Sequence, residues 1–178
     1  IAAAVDAALG AHDLVVTTGG ASVGDFDHLP RTMQHLGLEI HFDRLQMKPG
    51  KPVHCAMRGP AMLLALPGSP LAAFTAARLL AVAACRTLLG HPEPAGPWLT
   101  ARLTLPLPHK PGRTRYVPVT LASDPDTGTA RAHPVLTHSV SDMVAAGRAD
   151  GMLEVPAEWP DVPGGAVLPC LLWRRWPR

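Results

Sequence analysis

Two proline-braced turns and one glycine-rich turn hold the residues of this chain best placed to do chemistry. In Lys48-Pro49-Gly50-Lys51-Pro52 the prolines fix the backbone and Gly50 permits a tight reversal. Lys48 and Lys51 are thereby held near one another at a cost in mutual repulsion that an anion would relieve. Two exposed lysines on a strand connection are the plainer alternative. In Leu66-Pro67-Gly68-Ser69-Pro70 a helix N-terminus follows a strand, and its free N–H groups with the Ser69 hydroxyl make an anion site or a simple cap. In Thr18-Gly19-Gly20-Ala21-Ser22-Val23-Gly24-Asp25, Gly19, Gly20, Ser22 and Gly24 form a phosphate-loop candidate at the end of a strand. It is neither a Walker A loop nor a dinucleotide fingerprint, and alone it reads as a turn capped by Ser22. Asp25 and Asp27 follow at once. A carboxylate beside a phosphate cradle holds a divalent cation or handles a proton, or else is a solvated acid at the start of the next helix.

The elements that must position these turns alternate in the first half of the chain. The sequence predicts a helix over about residues 1–11, a buried parallel strand Leu14–Thr17, and a helix His28–Leu36 closed by Gly37. Strands follow at 38–45, 53–57 and 62–66. A core helix then covers 71–89, with Ser69 at the N-cap, Pro70 at its first position and Gly90 after its end. That helix is apolar nearly all round, but its alanines and central Arg78 fit a core helix better than a membrane span. The run His91-Pro92-Glu93-Pro94-Ala95-Gly96-Pro97 reads as a linker. Beyond it, strand-like runs near 98–105, 115–121, 129–135, 152–155 and 167–173 suggest a small barrel or sandwich, with a short helix within 142–149. The expected domains are therefore 1–91, a linker 92–97, and 98–178.

The 178 residues carry a formal charge of +2 with 47% hydrophobic residues, which argues for globular domains without a nucleic-acid or membrane partner. The basic tail Trp173–Arg178 reads as a frayed end rather than a nucleic-acid contact. Cys55, Cys85 and Cys170 lie far apart, and the nine histidines fall in no His-Glu-x-x-His pattern, which points to reduced thiols in a cytoplasmic protein and away from structural zinc. The chain opens inside an Ala-rich helical pattern and reads as the carboxyl-terminal part of something longer.

Taken in order, the strand Asp13–Gly20, the segment Ser22-Val23-Gly24-Asp25-Phe26-Asp27, the lysine turn and the Pro-Gly-Ser-Pro turn resemble the MoeA-like molybdopterin molybdenumtransferases, relatives of the carboxyl-terminal domain of gephyrin and of plant molybdenum insertases. The resemblance implies a partial, MogA-like three-layer α/β domain followed by a small all-β barrel. It also implies a cytoplasmic homodimer that inserts molybdate into adenylylated molybdopterin with release of AMP and help from Mg²⁺. The shared catalytic set would be Asp27, Lys48 and Lys51, with Asp27 on the metal. Gly19, Gly20, Ser22, Gly24, Pro67, Gly68 and Ser69 would hold the pterin-phosphate ligand, and Lys48, Lys51 and Pro52 the molybdate. Where members commonly carry Gly-Arg-x-x-Phe-x-Arg, the chain reads Gly112-Arg113-Thr114-Arg115-Tyr116-Val117-Pro118, which leaves Arg113 or Arg115 to stand in for the last Arg. The barrel serine of the family aligns on Val140, between Ser139 and Ser141. The rival readings are a scaffold that has kept the fold without the chemistry, and a nucleotide-phosphate hydrolase of the competence-damage type.

Overall fold

The computed structural model describes residues 1–20 and 28–173. The chain divides into two compact units, one of Ile1–Leu45 with Gly50–Pro94, the other of Gln46–Pro49 with the chain from Ala95 on.

In the first unit, α1 (Ala2–Ala11), β1 (Leu14–Thr18), α2 (His28–His35), β2 (Glu39–Phe42), β4 (His54–Arg58) and β5 (Ala61–Leu66) build a four-stranded sheet in the order β1-β5-β4-β2. β1 runs parallel to β5, whereas β4 is antiparallel to both β5 and β2. Leu63 and Ala65 bury one face of β5 with Val5 and Leu9 of α1 and Leu29 and Met33 of α2. The side chains of opposite parity, Leu64 and Leu66, are also buried, and α3 (Pro70–Ala76) packs on β5. The result is helix, sheet, helix. Contrary to the expected buried strand, β1 has one pairing partner among the described residues, and Val16 is 43% exposed.

Helix ends follow the glycines. After α2, Gly37 at φ +62° donates to the Gln34 carbonyl and Leu38 to that of Met33, the paired bonds of a Schellman stop. The helix that begins with α3 continues through a π segment (Ala77–Ala81) into α4 (Val82–Leu88). Its full span is long and apolar enough to cross a membrane by length and composition. The sequence suggested a core helix, but its buried residues, Leu71, Ala72, Thr75 and Ala76, all lie in α3. Only these first turns face β5, and the π segment and α4 bury none of their residues.

The second unit contains β3 (Met47–Lys48), β6 (Trp98–Leu103), β7 (Thr114–Ser123), β8 (Ala130–Pro134), α5 (Met143–Arg148), β9 (Gly151–Val155) and β10 (Val167–Leu172). The pairings β7-β8-β6-β10-β9 return to β7 and close a five-stranded barrel. Alternate residues fill it, among them Ala101, Leu103, Val117, Val119, Leu153, Val155, Leu168 and Cys170. The sequence kept residues 46–49 within the first domain and read 38–45 as one strand. Instead, the strand ends at Phe42, and Met47–Lys48 pairs in parallel with Thr114 and Arg115 of β7. Two residues of extended chain are too short to register as a strand by periodicity.

Candidate functional site

The glycine turns meet at the carboxyl ends of β1 and β5. The parallel register places Thr18 beside Leu66, and the next amide, Gly19 N–H, donates to the Leu66 carbonyl at 3.1 Å. Gly19 and Gly20 sit at φ +82° and +69°, in the left-handed region that favours glycine. A β-carbon on Gly68 would lie 3.3 Å from the Gly19 α-carbon, so the close approach favours glycine at 68, whereas at 19 it is the positive φ that favours it. Pro67 is buried beneath the second turn, and Gly68 is exposed above it.

The helix that starts here leaves its first donors open. Ser69 occupies the N-cap with an extended backbone, as expected, but its hydroxyl makes no capping bond. Pro70 at the first position has no N–H to satisfy. The first intrahelical bond runs from Ala73 N–H to the Ser69 carbonyl at 2.9 Å. The amides of Leu71 and Ala72 precede it, at the positive end of the helix dipole. A free hydroxyl, open amides and two glycine turns form a neutral, donor-rich cradle suited to a phosphate or other anion. Ser22, Gly24, Asp25 and Asp27, which the sequence assigned to the same loop, lie outside the described residues.

Thr17 was missed in the sequence. Its hydroxyl is buried without a hydrogen-bond partner among the described residues, two positions before Gly19. A threonine in a β-branched run gives no signal of this, because it fits a strand equally well.

The lysine turn is divided between the units. Lys51 belongs to the first, where its carbonyl accepts from Leu45 at 2.9 Å and Val53 at 3.1 Å, with the side chain exposed and Pro52 half-buried beside it. Lys48 belongs to the second, paired with Arg115 of β7, and it too is exposed. Arg113 is exposed just before β7, whereas Pro118, where the resemblance would place an arginine, is buried within the strand. Its carbonyl accepts from Val135 at 2.9 Å.

Ser139 and Ser141 share one exposed turn, in which Ser141 N–H donates to the Ser139 hydroxyl at 3.1 Å. Asp142 ends that turn and caps α5 by accepting from Ala145 at 3.1 Å. Backbone hydrogen bonds, from Ala145 first and then His138, hold its carboxyl below the usual carboxylate range. Among the described residues no three His, Cys, Asp or Glu side chains come together as a metal site. All three thiols are free. That of Cys170 is pushed up to about 12 by burial and then by Asp150, which makes it a core group rather than a nucleophile.

The site is thus carried by an α/β unit whose two glycine turns cross at its strand ends, followed in the chain by a closed five-stranded barrel. Comparison with known proteins agrees on both halves. Residues 1–87 match the family described as a probable molybdopterin binding domain, and residues 100–173 match the MoeA C-terminal region, domain IV. The chain therefore belongs to the MoeA-like molybdopterin molybdenumtransferase family. It is 30% identical over 172 residues to the molybdopterin molybdenumtransferase of Bacillus subtilis, a match covering 97% of this chain and 40% of that one. The Staphylococcus epidermidis protein of the same name is 40% identical over 86 residues, covering 48% of this chain and 20% of its own. A solved molybdopterin biosynthesis MoeA structure from Pyrococcus horikoshii superposes with a TM-score of 0.72 at 26% identity, covering 98% of this chain and 41% of that one. A molybdenum cofactor biosynthesis protein from Pyrococcus furiosus shares the fold, with a TM-score of 0.73 at 22% identity, over 96% of this chain and 53% of its own. The chain thus spans about 40% of the length of the curated relative it matches almost end to end.

Proposed function

We propose that this chain is the carboxyl-terminal portion of a molybdenum insertase, which places molybdate into adenylylated molybdopterin with release of AMP. The observation that carries this reading is the contact of Gly19 with Gly68, which joins two donor-rich turns at the ends of adjacent parallel strands. Gly19, Gly20, Pro67, Gly68 and Ser69 take the pterin-phosphate end of the ligand, with Ser22 and Gly24 assigned there by sequence. Open helix amides stabilise phosphate charge without a charged side chain, and glycine lets the ligand approach the backbone. Lys48 and Lys51, with Pro52, take the oxyanion, which concentrated positive charge favours. Arg113, Ser139 and Ser141 are weaker candidates on the barrel, because the two serines already share a local hydrogen bond.

Asp27 and Mg²⁺ enter by sequence resemblance alone. The described residues offer no cluster of three His, Cys, Asp or Glu side chains to hold the ion. The full-length protein is read as a cytoplasmic homodimer, and the chain by itself is expected to be inactive. A competence-damage-type hydrolase is the rival; the match of the barrel to the MoeA C-terminal region favours the insertase. The scaffold reading draws on Pro118, which supplies no cation where an arginine is common, and on Val140, which stands where the family has a serine.

Release of AMP from adenylylated molybdopterin by the full-length protein, measured with and without molybdate, tests the assignment. Molybdate-dependent release that Lys51→Ala removes is expected. AMP release indifferent to molybdate would transfer the chain to the hydrolase reading, and no release at all would favour the scaffold.

A further inference from the structure

Away from the cradle, a second set of side chains able to hold a ligand gathers on α2. His28, Arg31, Thr32 and His35 follow the i, i+3, i+4, i+7 spacing, so they share one face of the helix. That face and the start of the chain, Ile1 and Ala2, line an open groove with a volume of about 420 Å³. α1 leads into β1 after two residues and so runs back along the sheet, and it begins at the end where β1 stops. α2 begins at that end too, since a β-carbon on Gly20 would lie 3.5 Å from the Leu29 side chain. The groove nonetheless shares no residue with the Gly19–Gly68 cradle.

Its charge is positive and uncompensated. α2 carries no acid in its first turn, where the positive end of the helix dipole favours one, and holds His28 and Arg31 there instead. The single acid of α1, Asp6, is paired with Arg58 of β4. His28, Arg31 and His35 are exposed, and none of them enters an ion pair among the described residues. Thr32 sits between them at 7% exposure, and its hydroxyl makes no hydrogen bond among the described residues. A polar group so enclosed calls for a partner.

We infer that this groove is a second ligand site, one that takes a phosphomonoester. The Arg31 fork pairs with two phosphate oxygens, and the Thr32 hydroxyl and the two imidazoles donate to the rest. A bare phosphate would leave most of the groove empty, whereas the volume falls within the range of small-molecule sites, about 300–1,000 Å³. Ile1 and Ala2 give an apolar wall on which the organic group of the ester can lie. The site stands whether or not the cradle takes molybdopterin.

Isothermal titration of the full-length protein with phenyl phosphate and, separately, with inorganic phosphate tests it, alongside urea unfolding of each variant. Phenyl phosphate is expected to bind saturably, about tenfold or more tighter than inorganic phosphate. Arg31→Gln is expected to weaken it about tenfold or more, Arg31→Lys to recover part of that loss, and Thr32→Val to weaken it while unfolding like the parent. Binding of adenylylated molybdopterin by Arg31→Gln should stay within about twofold of the parent. No saturable binding of phenyl phosphate, equal affinity for inorganic phosphate, or binding that Arg31→Gln leaves unchanged would overturn the inference. Loss of adenylylated molybdopterin in a folded Arg31→Gln would make the groove part of the cradle and overturn the second site, with the reading of the cradle intact.

Discussion

Single residues set the geometry of the cradle. Gly68→Ala places a methyl 3.3 Å from the Gly19 α-carbon, and Gly19→Ala forces a side chain into φ +82°. Gly19→Ala is expected to cost about 1–2 kcal/mol in urea unfolding through its backbone strain, and Gly68→Ala to abolish ligand binding because the Gly19 backbone must shift to admit the methyl. Asp142 gives a prediction in pH. Its carboxyl is held low by the Ala145 and His138 amides, so its stabilising effect is present above the unfolded value of about 3.9 and fades as pH falls through the lower folded value. An NMR titration of the Ala145 amide should show a midpoint below about 3.9, and Asp142→Asn should remove it. At this scale the sequence was informative where the backbone demands a residue type: Gly19, Gly20 and Gly68, and Ser69-Pro70 at a helix start. It was silent on Thr17 and on the pairing of Arg115, because burial and register are not written into residue type.

At the scale of elements, periodicity placed α1, α2, β4, β5 and every barrel strand within a few residues, since each has an apolar face bounded by glycine or proline. It misjudged β1 and the long helix. Both are apolar enough for a buried position, but burial depends on which neighbours pack against them, and among the described residues β1 has one strand partner and only α3 is buried. The barrel depends on a close contact that no hydrophobic pattern reveals. A β-carbon on Gly151 would lie 2.6 Å from the Leu171 carbonyl oxygen and 3.1 Å from the Cys170 sulfur. Gly151→Ala is therefore expected to destabilise the second unit by about 3 kcal/mol or more, read by chemical denaturation, because backbone rather than a flexible side chain must yield.

At the scale of the whole molecule, the exposed segment His91–Pro97 and the crossing of residues 46–49 make one testable arrangement. Proteolysis within 91–97 should release a carboxyl-terminal piece that keeps all five closed strands, since β3 lies outside the ring. That piece should remain folded by circular dichroism, because its ring of strands is complete without β3. The central claim is that the turns meeting at Gly19 and Gly68 hold the molybdopterin ligand. Isothermal titration of the full-length protein with adenylylated molybdopterin tests it most directly. Saturable binding that Gly68→Ala abolishes, in a variant still folded by urea unfolding, is the predicted result; no binding by the parent, or binding that Gly68→Ala leaves unchanged, would contradict it.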